Sequence, residues 1–409
     1  MRILVVSQYY APEVGATQNR MRAFVEALLA RGHDVTVICE QPNHPNGVFQ
    51  PGYGSRPLAR ERGGRLTIYR VWVVTSPRKT TIRRLLFYGS FAAGAFAVTM
   101  SIPRPDVLFT TSPPLPGPLA VAFAAKLRRV PVVLDVRDIW PAAAEALGEL
   151  GNRRVLGAFE RAERWLYDNC AAVTATTEPF CRHVDETAGR QIAMHLPNGA
   201  LDELVDLPAT QPPQNGRFRL GYFGNFGIAQ GLNIALDAAE LLKHDPVDLL
   251  LVGGGPRDAQ LRQEVEQRGL TNLEVRPQVP TSRVGELMQS CHALLVPLRD
   301  HPILAKFFPS KVYDAMAVGR PAIVAATGEA ERFVSDHGCG LAIAPEDGPA
   351  LAAAVRQLAQ NRELTRDLGA RGKALAAEYA RSRQAWRLCD LLESVAVDGR
   401  SVPLSPEIS

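Results

Sequence analysis

The chain has 409 residues, of which 46% are hydrophobic, and a formal net charge of +4. Its length and apolar content predict at least two globular domains with large cores. The charge is uneven: residues 1–200 hold 24 Lys and Arg against 16 Asp and Glu, and residues 201–409 hold 22 against 26, which gives +8 and −4. The basic first half favours an anionic partner, which we take to be a phosphate group or a membrane surface and not a nucleic acid.

The first half of the chain alternates short β-branched runs with helical patterns. An amphipathic helix is predicted over residues 19–32, and an uncharged helix over Leu85–Ile102. Continuous apolar strands separated by helices predict a parallel sheet with both faces covered. The predicted strands cover residues 2–7, 34–39, 67–74, 106–112, 131–138 and 171–177.

A segment rich in Pro, Gln and Asn, PATQPPQNG at residues 208–216, predicts a linker. The alternation then restarts, and two such blocks predict an α/β protein of two facing Rossmann-like domains with the ligand in the cleft between them. The second set of strands is predicted at residues 219–225, 248–255, 273–279, 293–298 and 321–325. The predicted boundaries are 1–205 for the first domain, 206–217 for the linker, 218–380 for the second domain, 381–397 for a C-terminal helix that could pack back on the first domain, and 398–409 for a tail.

Basic residues lead directly into the uncharged helix. Nine Lys and Arg residues and one acid, Glu61, lie between Arg56 and Arg84. Leu85–Ile102 has no charged residue, yet its Gly, Ser, Thr and Ala content favours a buried or interfacial helix over a membrane-spanning one. A polybasic segment beside an apolar helix predicts docking on an anionic membrane surface. An ordinary solvated charged face is the alternative.

The opening MRILVVSQYY has too short an apolar run and no cleavage site for a signal peptide. The six cysteines are scattered without metal-ligand spacing, which is typical of buried thiols in a reducing compartment. The expected location is therefore the cytoplasm, peripheral on the inner face of the plasma membrane.

Glycine-bearing turns follow several predicted strands. A glycine at a strand–helix turn lets backbone amides approach a diphosphate at the positive end of a helix. No turn matches the full dinucleotide-binding or P-loop fingerprint, so only their convergence on one edge favours anion binding. These turns contain Gly15, Gly224, Gly227 and Gly253–Gly255.

The stretch FFPSKVYDAMAVGRPAIV begins with a turn that leads into a short helix. Lys311 at a helix N-terminus is unfavourable for the helix dipole unless an anion lies beside it. Lys306 flanks the same turn, and Asp314 suits the dipole and could accept hydrogen bonds from sugar hydroxyls. The alternative is that Asp314 merely offsets Lys311.

Charged residues also end the strand predicted at residues 131–138. Asp135, Arg137 and Asp138 would be costly there unless they are paired or functional, and a structural Asp–Arg pair is one interpretation. Because no Asp-x-Asp pair lies near a strand end, neither a metal ion nor a cofactor is expected. Helix dipoles and cations would hold a diphosphate instead.

Taken together, these motifs resemble the retaining glycosyltransferases of family 4, which have the GT-B fold. The resemblance covers nearly the whole chain and is carried by RGHDVTV, PNG at Pro197–Gly199, GNFGIAQG, LLVGGGP and PSKVYDAMAVGRPAIV. The segments PNHPNG, SPP and VRDIWP are similar to a narrower branch, the WbuB-type transferases of O-antigen and capsule repeat units. That resemblance implies a nucleotide-diphosphate sugar on the second domain and the acceptor on the first.

The chain departs from the family pattern at its charged positions. Of two family glutamates eight positions apart, the first falls on Lys306 and the second on Asp314. The family's diphosphate-binding Arg and Lys fall on Asn225 and Gln230, and we expect Lys306 and Lys311 to restore the lost charge.

The family's first-domain histidine aligns with Arg137, beside Asp138. The residues expected to take part in catalysis are therefore Arg137, Asp138 and Lys306. Those expected to bind the donor are Gly15, Gly224, Asn225, Gln230, Gly254, Gln278, Val279, Ser310, Lys311 and Asp314.

The resemblance implies a retaining hexosyl- or N-acetylaminosugar transferase. It would move a sugar from a nucleotide-diphosphate sugar, expected to be a UDP-sugar, to a lipid-linked or glycan acceptor in O-antigen or capsule synthesis. One alternative is a sugar-nucleotide 2-epimerase of the same fold. Another is a non-catalytic sugar-nucleotide-binding protein, motivated by Asn225, Gln230 and Lys306.

Overall fold

The computed structural model describes residues 1–13, 15–44, 47–77, 80–139, 153–212, 214 and 216–399. The chain divides into two compact units. The first holds Met1–Pro197 together with the C-terminal segment that starts at Gln384, and the second holds Asn198–Arg383. The polypeptide therefore crosses between the units after Pro197 and returns after Arg383.

The first unit is built on an eight-stranded sheet in the order β3-β4-β2-β1-β5-β6-β7-β8. Neighbouring strands are parallel except β3, which runs antiparallel to β4. The strands are β1 (Arg2–Val6), β2 (Asp34–Glu40), β3 (Leu58–Gly63), β4 (Leu66–Val71), β5 (Val107–Ser112), β6 (Val132–Val136), β7 (Ala172–Ala175) and β8 (Ala193–His195).

Helices connect these strands, as parallel pairing requires. In the described part of the first unit they are α1 (Ala16–Ala30), α2 (Thr81–Ser101), α3 (Pro116–Arg128), α4 (Arg153–Asp168) and α5 (Glu178–Ala188). The C-terminal helix α14 (Arg381–Asp398) packs into the core of this unit, where its Leu388 and Leu392 join Phe24 of α1 and Val5 of β1.

The second unit holds a six-stranded, fully parallel sheet in the order β11-β10-β9-β12-β13-β14. Buried apolar clusters cover both faces of this sheet, as its nearly continuous apolar strands predict. The strands are β9 (Phe218–Asn225), β10 (Val247–Gly254), β11 (Leu273–Pro277), β12 (Ala293–Pro297), β13 (Ala322–Ala325) and β14 (Gly340–Ile343). The helices are α6 (Asp202–Val205), α7 (Asn233–Leu241), α8 (Asp258–Gln267), α9 (Thr281–Gln289), α10 (Ser310–Ala317), α11 (Glu329–His337), α12 (Gly348–Gln360) and α13 (Arg362–Ala376), with 3₁₀ turns at Ile228–Gln230 and Leu304–Lys306.

The prediction of two Rossmann-like α/β domains is confirmed, with differences at the element ends. The hairpin of β3 and β4 was missed because its first strand, LARERG, is charged and lacks an apolar period. Helix α2 begins four residues before the predicted Leu85, because the Thr80 hydroxyl accepts a hydrogen bond from the Arg83 amide and caps the helix there.

The segment interpreted as a linker, residues 206–217, is held on the second unit where the structure describes it. The Lys373 ammonium donates to the carbonyls of Val205 and Leu207 at 2.7 and 3.0 Å. Arg320 donates to the Thr210 hydroxyl at 3.2 Å. A sequence without apolar periodicity is thus fixed by hydrogen bonds to a backbone carbonyl and to a side-chain hydroxyl, which composition does not reveal.

A buried ion pair joins α1 to β6 in the first unit. Arg20 is 2% exposed, and its guanidinium donates to the Asp135 carboxylate at 2.9 and 3.1 Å. It also donates to the carbonyls of Leu196 and Pro197, at 2.9 and 2.8 Å. The Arg20 side chain therefore links α1, β6 and the segment that ends at Pro197, where the chain leaves the first unit. Asp135 pairs with Arg20 and not with its sequence neighbour Arg137.

We expect Arg20→Ala to destabilise the first unit by about 3–5 kcal/mol, because it leaves the Asp135 carboxylate buried without its partner. Urea denaturation followed by circular dichroism measures the change. Arg22→Ala is the matched control: Arg22 forms an exposed ion pair with Glu26 on the same helix, at 2.9 Å, and should cost less than about 1 kcal/mol. Equal losses in the two variants would contradict the assignment.

Candidate active site

The carboxyl ends of β9 and β10 approach each other closely in the second unit. The two strands pair in register, with Gly253 opposite Gly224 and Gly254 opposite Asn225. A Cβ atom built on Gly253 would lie 1.8 Å from the carbonyl oxygen of Gly224, so only glycine fits there. Gly224 itself has a φ of 142°, which side chains disfavour. The glycines therefore expose backbone at one edge of the sheet.

Lys311, in the first turn of α10, lies over this edge. A Cβ atom on Gly224 would lie 2.6 Å from Cε of Lys311 and 3.0 Å from its Nζ. The ammonium lies 5.5 Å from the ring centroid of Tyr222, a contact of the cation–π type. Burial lowers the pKa of Lys311, and the charge of Asp314 opposes that shift. No described carboxylate lies within ion-pair distance of Nζ. An anionic ligand could therefore pair with this ammonium group.

Asp314 lies one turn further along α10. Burial raises the pKa of its carboxyl group to about 6, although Arg381, Lys311 and a hydrogen bond from the Leu201 backbone all lower it. Its Oδ1 is buried without a hydrogen-bond partner among the described residues. A buried acceptor of this kind costs free energy until a donor group reaches it.

The remaining donor-side candidates lie around the same edge. Asn225 ends β9, and its carbonyl oxygen accepts a hydrogen bond from the Tyr222 hydroxyl at 2.6 Å. Gln230 lies in the 3₁₀ turn after β9, with its Oε1 beside Gly227. Ser310 is the first residue of α10.

The structure connects Gln278, Val279 and Lys306 to this edge less directly. Gln278 is exposed and Val279 half-buried in the loop after β11, the neighbour of β10. Lys306 ends a 3₁₀ turn and is exposed, and no described contact joins it to Lys311.

In the first unit, Arg137 and Asp138 follow the end of β6. Arg137 donates to the Thr111 hydroxyl at 2.8 Å, to the Pro113 carbonyl at 3.0 Å and to the Thr17 hydroxyl. Burial lowers the pKa of this guanidinium.

Burial raises the pKa of Asp138 to about 6, against the opposing effects of the Ile139 amide and of Arg137. Its Oδ1 is buried without a described partner. Gly15 precedes α1 and its carbonyl oxygen accepts the first hydrogen bond of that helix. Trp140 and Pro141, which follow in the VRDIWP segment, lie outside the described residues.

Two partners in these sites were not singled out from the sequence. Tyr222 stacks under Lys311, and Arg381 acts on Asp314 from the start of α14. Tyr222 is an aromatic residue inside an apolar strand, and Arg381 lies 67 positions after Asp314. Neither position carries a local sequence signal of its role.

The residues that the structure describes contain no group of three or more His, Cys, Asp or Glu side chains placed to hold a metal ion. None of their helices is long and apolar enough to cross a membrane.

Comparison with protein families gives two adjacent matches. Residues 15–199 match the model described as glycosyl transferase 4-like domain. Residues 207–375 match the model described as glycosyl transferases group 1. The two matches correspond in order to the two units of the structure.

Individual proteins agree with these models. The chain is 28% identical over 380 residues to the putative colanic acid biosynthesis glycosyl transferase WcaI of Escherichia coli K12, covering 87% of this chain and 92% of WcaI. Among solved structures, sucrose-phosphate synthase of Thermosynechococcus elongatus superimposes with a TM-score of 0.70 at 17% identity, over 97% and 99% of the two chains. Anabaena HepE in complex with UDP gives 0.67 at 16% identity, over 96% and 100%. These likenesses to solved structures show the fold, which is GT-B.

We expect Asp314→Asn to stabilise the protein at pH 8 by up to about 3 kcal/mol, because the buried carboxylate is disfavoured in the folded state. The folded pKa of about 6 lies above the unfolded value of 3.8, so this penalty is absent below pH 4 and complete above pH 6. Thermal unfolding at pH 8 and pH 4.5 measures the gain, which should shrink at the lower pH. Asp367→Asn, on the exposed face of α13, is the control and should change little.

Proposed function

The chain belongs to the glycosyltransferases that join a 4-like domain to a group 1 domain, and from that premise we propose its reaction. It transfers a sugar, with retention of anomeric configuration, from a UDP-sugar to a lipid-linked or glycan acceptor in cell-surface glycan synthesis. The donor binds the second unit and the acceptor binds the first.

The half-buried Lys311 cation at the carboxyl edge of the second sheet carries this proposal. Lys311 lies against the glycine backbone of β9 and beside a ring, where no described carboxylate pairs with it. A diphosphate placed there would accept a charge-assisted hydrogen bond from Nζ in a region already short of water. Gly224 is exposed, and a Cβ atom on the half-buried Gly254 would meet nothing within 4 Å, so phosphate oxygens have room to approach the backbone there.

Asp314 suits the sugar or ribose end of the donor. Its unpartnered Oδ1 would accept a hydroxyl hydrogen bond, which removes the cost of a buried, unsatisfied acceptor. The carboxylate is fixed by the Leu201 amide and the charge of Arg381, so it is oriented before the donor arrives. UDP is the proposed nucleotide because HepE, a protein of the same fold, is described in complex with UDP and with UDP-glucose.

Stabilisation of the leaving group supplies most of the proposed catalysis. As the glycosidic bond to the diphosphate breaks, negative charge grows on the departing phosphate, and Lys311 and the backbone amides stabilise it. A phosphate oxygen takes the proton of the acceptor hydroxyl, and the hydroxyl oxygen bonds to the anomeric carbon on the face that the diphosphate leaves, which gives retention. Lys306 would add positive charge from its turn, and Arg137 and Asp138 would act from the acceptor unit.

The setting in cell-surface glycan synthesis rests on the likeness to WcaI, a putative colanic acid biosynthesis glycosyl transferase that the chain matches over most of its length. The lipid-linked acceptor and the membrane surface are proposed from α2. In its first turns Ile82, Leu85 and Leu86 are 73%, 65% and 52% exposed, and the segment Arg56–Arg84 that leads into this part of the chain is basic. An exposed apolar face that follows a basic segment is complementary to an anionic leaflet.

We expect Lys311→Ala to weaken UDP binding roughly ten- to a hundredfold, since a charge-assisted contact contributes about 1.5–3 kcal/mol. Isothermal titration calorimetry measures the affinity. Lys306→Ala should also weaken UDP binding, because it removes a second cation that we propose to face the diphosphate. Lys243→Ala is the control, because this exposed lysine precedes β10 at the opposite edge of the sheet. Wild-type affinity in Lys311→Ala would remove the basis of the donor site.

Turnover separates the proposed transferase from its alternatives. Slow release of UDP with retention in the product supports transfer, inversion at C2 of the donor sugar supports an epimerase, and binding without turnover supports a non-catalytic protein.

We expect the protein to sediment with vesicles containing anionic lipid at low salt and to be released at 1 M salt, where the screening length falls to about 3 Å. Ile82→Gln/Leu85→Gln/Leu86→Gln should reduce the bound fraction, because it removes the exposed apolar face of α2. A control triple at scattered exposed positions, Leu58→Gln/Leu241→Gln/Val397→Gln, should bind like wild type. Retention at high salt, or no binding at any salt, would contradict reversible docking.

A further inference from the structure

A cavity of about 260 Å³ opens in the first unit beside the start of α2. It lies at the carboxyl edge of β1, β2 and β4, because its lining comes from the segments that follow these strands and from the first two turns of α2. The residues that line it are Tyr9, Asn43, His44, Gly47, Val74, Ser76, Arg83, Arg84, Phe87 and Tyr88. None of these is acidic, and two are arginines.

Two buried carboxylates fix the polar wall of this cavity. Glu13 is 6% exposed and accepts hydrogen bonds from the backbone amides of Asn43 and His44, both at 2.7 Å. Glu40 is 2% exposed and accepts from the Asn43 side-chain amide at 2.8 Å. His44 then packs edge-on against Tyr9, with ring centroids 5.6 Å apart. The wall is therefore set before any ligand binds, as a recognition site requires.

The size of the cavity narrows the class of ligand. It falls just below the roughly 300–1,000 Å³ of pockets that enclose drug-sized ligands, so it suits a phosphorylated sugar better than a whole nucleotide sugar. Arginine guanidinium groups match phosphate geometry, whereas Asn, Tyr and His side chains form hydrogen bonds with sugar hydroxyls.

The cavity and the exposed apolar face lie on opposite sides of one helical segment. Successive residues of a helix are rotated by about 100°, so Ile82, Leu85 and Leu86 share one face. The lining residues Arg83, Arg84, Phe87 and Tyr88 occupy the other. If the apolar face rests on a membrane, the cavity lies about one helix diameter, roughly 10 Å, above it. A lipid-linked diphosphate and its first sugar would extend across such a distance.

We propose that this cavity binds the diphosphate and first sugar of the lipid-linked acceptor, with Arg83 and Arg84 on the phosphates and Asn43, Tyr9 and His44 facing the sugar. The assignment rests on the proposed function and names the acceptor chemistry of the first unit. Asn43 contacts the ligand in this account, and Glu13 and Glu40 act as positioning residues.

Sedimentation with phosphatidylcholine vesicles doped with undecaprenyl diphosphate tests the assignment, with saturating UDP present to occupy the donor site. Vesicles with the same charge from phosphatidylglycerol are the lipid control. Wild-type protein should prefer the diphosphate vesicles, and soluble inorganic diphosphate should release it. Arg83→Gln/Arg84→Gln should weaken the binding of inorganic diphosphate at least tenfold by calorimetry. Arg60→Gln/Arg62→Gln, an equal charge loss on β3, should leave it unchanged.

A substitution inside the cavity tests the diphosphate site without removing arginines from the surface. Val74→Asp places a carboxylate on the cavity wall and should also weaken diphosphate binding, whereas Ile82→Gln/Leu85→Gln/Leu86→Gln should spare it while losing vesicle binding. UDP affinity should be unchanged in every variant, which confirms an intact second unit. Equal binding to both vesicle types would overturn the assignment, as would displacement of the bound diphosphate by UDP. A chain that binds no UDP contradicts the proposed function instead.

Discussion

An ammonium group partly removed from water must be stabilised by its surroundings, and in the second unit the Lys311 ammonium lies against glycine backbone and the Tyr222 ring, with no described carboxylate paired to it. That placement depends on Gly224, whose φ and missing side chain admit the lysine, and on Gly253, which lets β10 approach β9. The glycines thus bring a cation and bare backbone amides to one point of the sheet edge. The proposed donor site and its electrostatic catalysis both depend on this arrangement.

In both units, candidate site carboxylates lie close in sequence to other charged residues but differ in how well their oxygens are hydrogen-bonded. At the end of β6, Asp135 is fully buried and satisfied by Arg20, while Asp138, three residues later, keeps a buried oxygen without a described partner. In α10, Asp314 shows the same deficit next to Lys311. Unsatisfied buried groups lower stability unless a ligand reaches them, which is why they mark candidate sites rather than the core.

Much of the fold follows from the sequence, because apolar strands alternating with helices admit few arrangements other than parallel sheets covered on both faces. All strands of the two sheets were predicted except three, which are the charged β3 and the short β8 and β14. The sequence predicted those parts of the candidate site that lie within short motifs, namely the glycine turns and Lys311. It did not predict that Arg20 pairs with Asp135 or that Arg381 acts on Asp314. The residues of each pair lie at least 67 positions apart, and only the fold brings them together.

A crystal structure of the protein with UDP tests the central claim most directly. The account predicts that the diphosphate lies at the ends of β9 and β10, with Nζ of Lys311 about 3 Å from a phosphate oxygen and the unpartnered oxygen of Asp314 accepting a hydroxyl hydrogen bond. A diphosphate bound away from this edge, with the ammonium still resting on the Tyr222 ring, would contradict it.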